Sequence, residues 1–413
     1  MALFRKSGAR RIGWKKARVG LLLGLIPGIL GLGLVHWPVT ADLEKTRGLD
    51  FLFKLRGARP APPEVCVVAI DDASYIELGV NRDELWPRAL HADLVRVLKR
   101  EGARAVAFDV IFESPREPVE GDIALELALF DTANVVLGST VERIDDPRFR
   151  QVRLIEPYQP FAETAAAVGE VDLPPDNDGL IRETWLVPDQ RPSLALAAYE
   201  VATGDLSYRE ESGTRVIDYY GNPRTIDTVS VYQALDPEQY LPDDYFRDRI
   251  VLVGLSQVAA QTIADLKDSF PTPFSGGEVG YTFGVEIHAT IAANLLEGRR
   301  VDLLPPVIEA LALVGLALLA SLLFIFLRPM VGLAVALPLM LLSWVVAYLA
   351  FTQTATWIPV VIPSVVQLPA AYTVSLVWYY LTTVREREKI RRAFSFYLSP
   401  DMIRRIQEDP ESL

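Results

Sequence analysis

Four short apolar runs in this chain end in residues able to bind ions or move protons. Val65–Ile70 ends in Asp71 and Asp72, Ala103–Phe112 carries Asp109, Asn134–Thr140 carries Ser139, and Ile250–Gly254 leads to Ser256. Each run has the continuous apolar, β-branched character of a strand buried on both faces. In open α/β sheets, ligands settle beyond the carboxyl ends of the strands. Carboxylates converging there could hold a cation or a cationic ligand, because oxygen-rich clusters suit hard ions. The competing reading has the same acids cap the turns and helices that follow. His91 on a helical face and His288 in Glu286-Ile287-His288-Ala289 could join such a site or serve packing alone. The candidate ligand-binding set is therefore Asp71, Asp72, His91, Asp109, Ser256 and His288.

Other chemistry finds little support. Asp176-Asn177-Asp178-Gly179 starts like a calcium loop, but Val187 stands where the loop needs its glutamate, so it reads as a tight turn. One cysteine, Cys66, rules out an internal disulfide framework or a cysteine-rich zinc module, and three histidines leave little room for a multi-histidine metal centre. No GxSxG, Walker, HExxH or CxxC pattern occurs. The expectation is no catalytic residue and no cofactor, with a metal left open.

These strand-end residues need a scaffold. A helix is expected after Pro87, with Leu90, Leu94, Val97 and Leu98 on one face, and further helices over Asp122–Phe130, Leu194–Ala202 and Val285–Leu296. Strands are also expected over Ile181–Val187 and Val216–Tyr220. Strands separated by helices predict an α/β domain over 42–300, with a mostly parallel or mixed sheet covered by helices. Arg59-Pro60-Ala61-Pro62-Pro63 reads as the linker into it.

Composition adds a membrane. Half of the residues are apolar, yet 23% are charged, a combination that argues for segregated lipid-facing and water-facing parts. The basic start, 1–18, precedes a charge-free run at 19–37, long enough to span ~30 Å of hydrocarbon. A cleaved signal peptide is the rival, although signal cores usually run ~7–15 residues. Three more uncharged runs give spans at 307–327, 330–351 and 355–381, the last bent or late-starting because of Pro359, Pro363 and Pro369. Buried helices of a soluble protein are the competing reading.

Residues 1–37 carry a net +7, whereas 38–300 holds 26 basic and 45 acidic residues, a net of −19. Basic residues flank the first span, the turn at Arg328 and the exit of the last span. Four transmembrane helices then put both termini in the cytoplasm and the acidic domain outside. The acidic pI of about 5.0 disfavours nucleic acid as a partner.

Six segments in order resemble the type-2 CHASE family, a cyclase/histidine-kinase-associated sensory extracellular domain. They are AIDDASYIELG (69–79), WPRALHADLVRVL (86–98), GARAVAFDVIF (102–112), DNDGLIRE (176–183), IVLVG (250–254) and FGVEIHATIAANLLEG (283–298). A second Trp-Pro pair often precedes WPR in that family, where Asp83-Glu84-Leu85 stands here. The resemblance implies an extracytoplasmic sensor of an undefined ligand in a bacterial inner membrane. The tail from Arg391 to Ile403 resembles the linker before class III adenylate/guanylate cyclase domains. There Ser399 and Pro400 can start a helix, and Ile390, Phe394 and Tyr397 share a face suited to pairing with a second copy or to a membrane surface.

The expectation is a homodimeric receptor module whose 384–413 linker leads to a fused cyclase domain absent from this chain, so that it makes no cyclic nucleotide itself. A histidine kinase or other effector, an extracytoplasmic α/β enzyme and a pure assembly module are the alternatives.

Overall fold

The computed structural model describes residues 2–146, 149–257, 268–276 and 280–385, the side chains of 2–13, 143–150 and Val384 excepted. The linker residues Ile390, Phe394, Tyr397, Ser399 and Pro400 lie outside the described residues. Two compact units result. One joins the two ends of the chain, up to Leu49 and from Leu303; the other is Asp50–Asp302. The first begins with helix α1 (Ala2–His36) and the short α2 (Pro38–Leu43).

The Asp50–Asp302 unit opens with α3 (Asp50–Arg56), then β1 (Val65–Ile70), α4 (Asp72–Glu77), α5 (Arg88–Arg100) and β2 (Ala105–Ile111). Next come α6 (Val119–Thr132), β3 (Val135–Asp146), β4 (Phe149–Ile155), α7 (Gln159–Thr164) and β5 (Ala167–Glu170). The chain continues through β6 (Glu183–Trp185), α8 (Leu194–Thr203), β7 (Thr214–Val216), β8 (Asp227–Ser230), α9 (Val231–Leu235) and α10 (Pro237–Tyr240). It closes with β9 (Ile250–Leu255) and α11 (Gly284–Leu296).

The main sheet has the order β4-β3-β2-β9-β1-β8, with β5 also on β3. Every pairing is parallel except β3 with β4. Alternate side chains feed two cores. Cys66, Val68, Phe108, Leu137 and Val253 face α5, α6 and α9, where Leu94, Val95, Leu98, Leu125 and Leu129 are buried. Val67, Ala107, Val136 and Leu252 face α8 and α11, through Leu194, Ala198, Val285 and Ala289. Full burial of each large aliphatic side chain stabilises by about 1.5–3 kcal/mol, so both faces must be covered.

Two expected strands shrink to fragments outside this sheet. Only Glu183–Trp185 of Ile181–Val187 and only Val216 of Val216–Tyr220 are extended and paired, as β6 with β7. The Ile181 N–H instead donates to Pro271 O, and the Ile217 N–H to Arg182 O, so loop partners take the bonds a sheet would need.

The other unit adds α12 (Pro306–Phe326), α13 (Pro329–Thr354) and α14 (Leu368–Tyr379). Among the described residues, three helices are long and apolar enough to cross a membrane: Trp14–His36 of α1, α12 and α13. The fourth apolar run departs from the expected helix over 355–381. Thr356–Trp357 is extended, and helix is continuous only from Val361 to Arg385, with π-type turns before and after α14. Pro359 accounts for the late start, since the residue before a proline avoids helical backbone, whereas Pro363 sits in the first turn and Ile362 before it is helical.

Close packing within this unit rests on small residues. A Cβ added at Gly24 would lie 2.9 Å from Leu318 Cα, and one at Gly20 3.2 Å from Leu322 Cα. Glycines at four-residue intervals thus let the α1 and α12 backbones touch. Gln367 Nε2 donates to Leu313 O at 2.8 Å and Pro27 O at 3.3 Å. The Glu44 carboxylate accepts the N–H groups of Val360, Val361 and Ile362 at 2.9, 3.0 and 2.6 Å, capping the fourth helical stretch.

Candidate functional site

Strand β9 lies between β1 and β2, so the acids at the ends of β1 and β2 are two strand spacings apart, roughly 10 Å. They serve different roles. Asp71 caps α4: its Oδ1 accepts from the Ser74 N–H at 2.9 Å and Ser74 Oγ at 2.7 Å, and its Oδ2 from Ser230 Oγ at 2.5 Å. Asp72 pairs with Arg82 at the surface, 2.9 Å away. Ser256 is buried, and its N–H donates to Ile70 O, joining the ends of β9 and β1. Ser139 Oγ donates to Gly169 O between β3 and β5.

Asp109 is different. Its side chain is 7% exposed, and its Oδ2 is buried. It fits because β9 carries Gly254 there; a Cβ would stand 3.1 Å from Asp109 Cβ and 2.7 Å from Val285 Cβ. Asp268 hydrogen-bonds to Asp109. Asp268 is exposed as a residue, yet its carboxyl packs on the first turn of α11, where a Cβ at Gly284 would meet Oδ1 at 2.8 Å. His288, one turn further along α11, has Nε2 4.0 Å from Asp109 Oδ1 and donates to Val171 O at 3.1 Å.

Burial pushes the Asp109 carboxyl up from its ordinary value. Asp268 rises too, through burial of its carboxyl and then the Asp109 charge. Two carboxyls in contact cannot both ionise cheaply, so the pair retains a proton at higher pH than isolated aspartates. Burial lowers His288 to about 4, so the ring is neutral at pH 7. The arrangement can hold and release a proton. Among the described residues no group of three or more His, Cys, Asp or Glu is set to hold a metal.

The structure thus brings Asp109 and His288 together and leaves Asp71, Asp72 and Ser256 outside that contact. His91 lies on the other side of the sheet, packed edge-on against Phe108 and Phe112 with centroids 5.5 and 5.1 Å away. Burial lowers it to about 3. Asp268 was not legible in the sequence, because it stands in a mixed polar and apolar stretch and does not end a strand run.

The model of the CHASE2 domain matches residues 22–323. This chain belongs to the CHASE2 domain family. CHASE2 domains are extracytoplasmic sensory domains, and the match extends beyond the Asp50–Asp302 unit into α1 and α12. No curated protein and no solved structure matches the chain.

A second buried carboxylate organises the ends of the Asp50–Asp302 unit of this CHASE2 protein. Asp218 has a fully buried side chain and takes Arg56 at 2.6 Å, Arg59 at 2.9 Å and Arg299 at 3.3 Å. Asn294 of α11 holds its backbone on both sides, accepting from the Asp218 N–H and donating to Asp218 O. Arg56 and Arg59 follow the first apolar helix in the chain, and Arg299 precedes the second. Arg182 makes a comparable knot, binding Asp50, Asp176 and Asp178 at 2.7–2.8 Å. The Asp176–Gly179 segment is the expected turn, with the Gly179 N–H donating to Asp176 O.

Proposed function

We propose that the chain is the sensing and membrane-anchoring part of a transmembrane signal receptor. Four spans hold the CHASE2 domain outside the bacterial inner membrane: Trp14–His36, α12, α13 and the helical stretch from Val361 to Arg385. Both chain ends face the cytoplasm, in keeping with the basic start, Arg328 and the basic residues that follow the last span. The 384–413 linker, paired in a homodimer, regulates a class III adenylate/guanylate cyclase domain. The chain itself catalyses nothing.

One observation carries the signalling part of this reading. The two terminal segments of the Asp50–Asp302 unit, which continue in the chain toward α1 and α12, are both tied to the same buried carboxylate, Asp218. A ligand that favours one state of the domain shifts its population. Any change that moves Asp218 therefore acts on both segments at once.

The test is to fuse a cyclase catalytic domain after Leu413 and measure cyclic nucleotide in membranes. Deleting Asp50–Asp302 and the variant Asp218→Asn should each change output at equal expression. Output indifferent to both overturns the receptor reading. Impermeant maleimide should label Glu210→Cys in intact spheroplasts; labelling only after lysis overturns the topology.

A further inference from the structure

The first turns of α5 and α6 meet beside a cleft of about 650 Å³, a size suited to a small organic molecule. A Cβ at Gly121 of α6 would lie 3.1 Å from Arg88 Cβ, so the two helix starts are in direct contact. Pro87 and Pro118 are their cap residues, and neither makes a side-chain cap hydrogen bond. Both helices thus present positive N-terminal ends with no capping side chain.

Arg88 lines the cleft although its side chain is only 4% exposed. Its guanidinium stacks over Phe112, 4.4 Å from the ring centre, and Nη2 donates to Ser114 O at 3.2 Å. Nε lies 3.3 Å from Asp122 Oδ1, but neither Nε nor Nη1 has a hydrogen-bond acceptor. The other oxygen of Asp122 is committed to the Arg116 N–H at 2.7 Å. A buried guanidinium with unused donors is costly unless a further acceptor arrives. Burial lowers Arg88 to about 10, which leaves it charged at neutral pH.

The remaining lining narrows the ligand. Trp86 is buried against Tyr75, and Leu85 is exposed, so with Pro87 and Pro118 they form an apolar wall. Arg116 adds a second cation, while Glu84, Glu117 and Glu120 add three negative charges. Such a rim repels polyanions. A single carboxylate on Arg88 with an apolar body against Trp86 suits it.

We propose that this cleft binds a small organic monocarboxylate, its carboxylate on Arg88 and the two helix starts, its apolar part along Leu85 and Trp86. This deepens the receptor reading, on which it rests for its signalling role, by naming the ligand class.

The experiment uses the full chain in nanodiscs, titrated calorimetrically with phenylacetate, phenylalanine and inorganic phosphate. Phenylacetate or phenylalanine should bind, with Kd raised at least about tenfold by Arg88→Gln and by no more than about threefold by Arg96→Gln. Because Arg88→Gln risks misfolding, Ala89→Trp provides an independent arm; it fills the cleft from an exposed position and should abolish binding with an unchanged melting temperature. Phosphate binding as tight as the carboxylates, binding that survives both Arg88→Gln and Ala89→Trp, or no carboxylate binding up to about 10 mM overturns the proposal. Binding is read without any cyclase. Carboxylate binding that leaves the fused cyclase output unchanged therefore counts against the receptor reading and supports the site, whereas a responsive receptor with no carboxylate binding does the reverse.

Discussion

Asp218 Oδ1 lies 2.6 Å from Arg56 Nη1, inside a knot that also takes in Arg59 and Arg299. The carboxylate is fully buried, whereas the guanidinium of Arg56 is partly so, with 11% of its side chain exposed. Breaking a buried pair by removing one partner leaves uncompensated charge and costs about 3–5 kcal/mol. Asp218→Ala leaves three arginines facing one another and should destabilise the domain by that order. Thermal unfolding of the full chain in detergent, compared with the exposed control Arg96→Gln, checks it. A melting temperature that does not move would show that solvent or other groups compensate.

The Asp109–Asp268 pair predicts a pH dependence of definite sign. Both carboxyls are raised in the folded state relative to the unfolded chain, so the protonated form is the one folding favours. That stability is fully present below the unfolded aspartate value, about 3.9, and is lost as pH rises through the folded values. Stability should therefore decline from mildly acidic toward alkaline pH, and Asp109→Asn should flatten the decline. Melting temperatures of both proteins across pH 5–9 decide it; parallel curves would remove the pair from the account.

Asp71 is predicted to act as a cap. Asp71→Ala deletes the acceptor for the Ser74 N–H, Ser74 Oγ and Ser230 Oγ. A lost N-cap costs about 0.5–2 kcal/mol, and the stranded hydroxyls add to that. Carboxylate binding at the Arg88 cleft should be unchanged, which calorimetry on the variant tests.

Within the helical unit, Gly24→Leu should separate α1 from α12. The added Cβ alone meets Leu318 Cα at 2.9 Å and Ala317 O at 3.1 Å, both backbone atoms that cannot rotate away. Overpacking of this kind costs about 1–3 kcal/mol. Gly33→Leu is the control, since nothing lies within 4 Å of a Cβ there. Resistance to unfolding in increasing detergent denaturant should fall for the first variant only.

Much of the scaffold was legible because its signals are local. Val65–Ile70 and Ile250–Leu255 are unbroken apolar runs and Ala105–Ile111 is interrupted only by Asp109, the pattern expected of strands covered on both faces. β8 escaped notice because Asp227-Thr228-Val229-Ser230 is mostly polar and is a strand only by virtue of pairing with β1. β5 is four residues long and is held by β3 in the same way.

The sequence by itself determined the segregation of apolar and acidic stretches, the strand and helix runs of the sensory domain and its family, since composition and periodicity are carried by neighbouring residues. Tertiary structure alone decided which charged groups meet. The insertion of β9 between β1 and β2 parts Asp71 from Asp109, α11 brings His288 to Asp109, and two helix starts enclose Arg88. None of these meetings leaves a local pattern, because each joins segments far apart in the chain, and the desolvation that gives such groups unusual energetics exists only once the surrounding elements have packed.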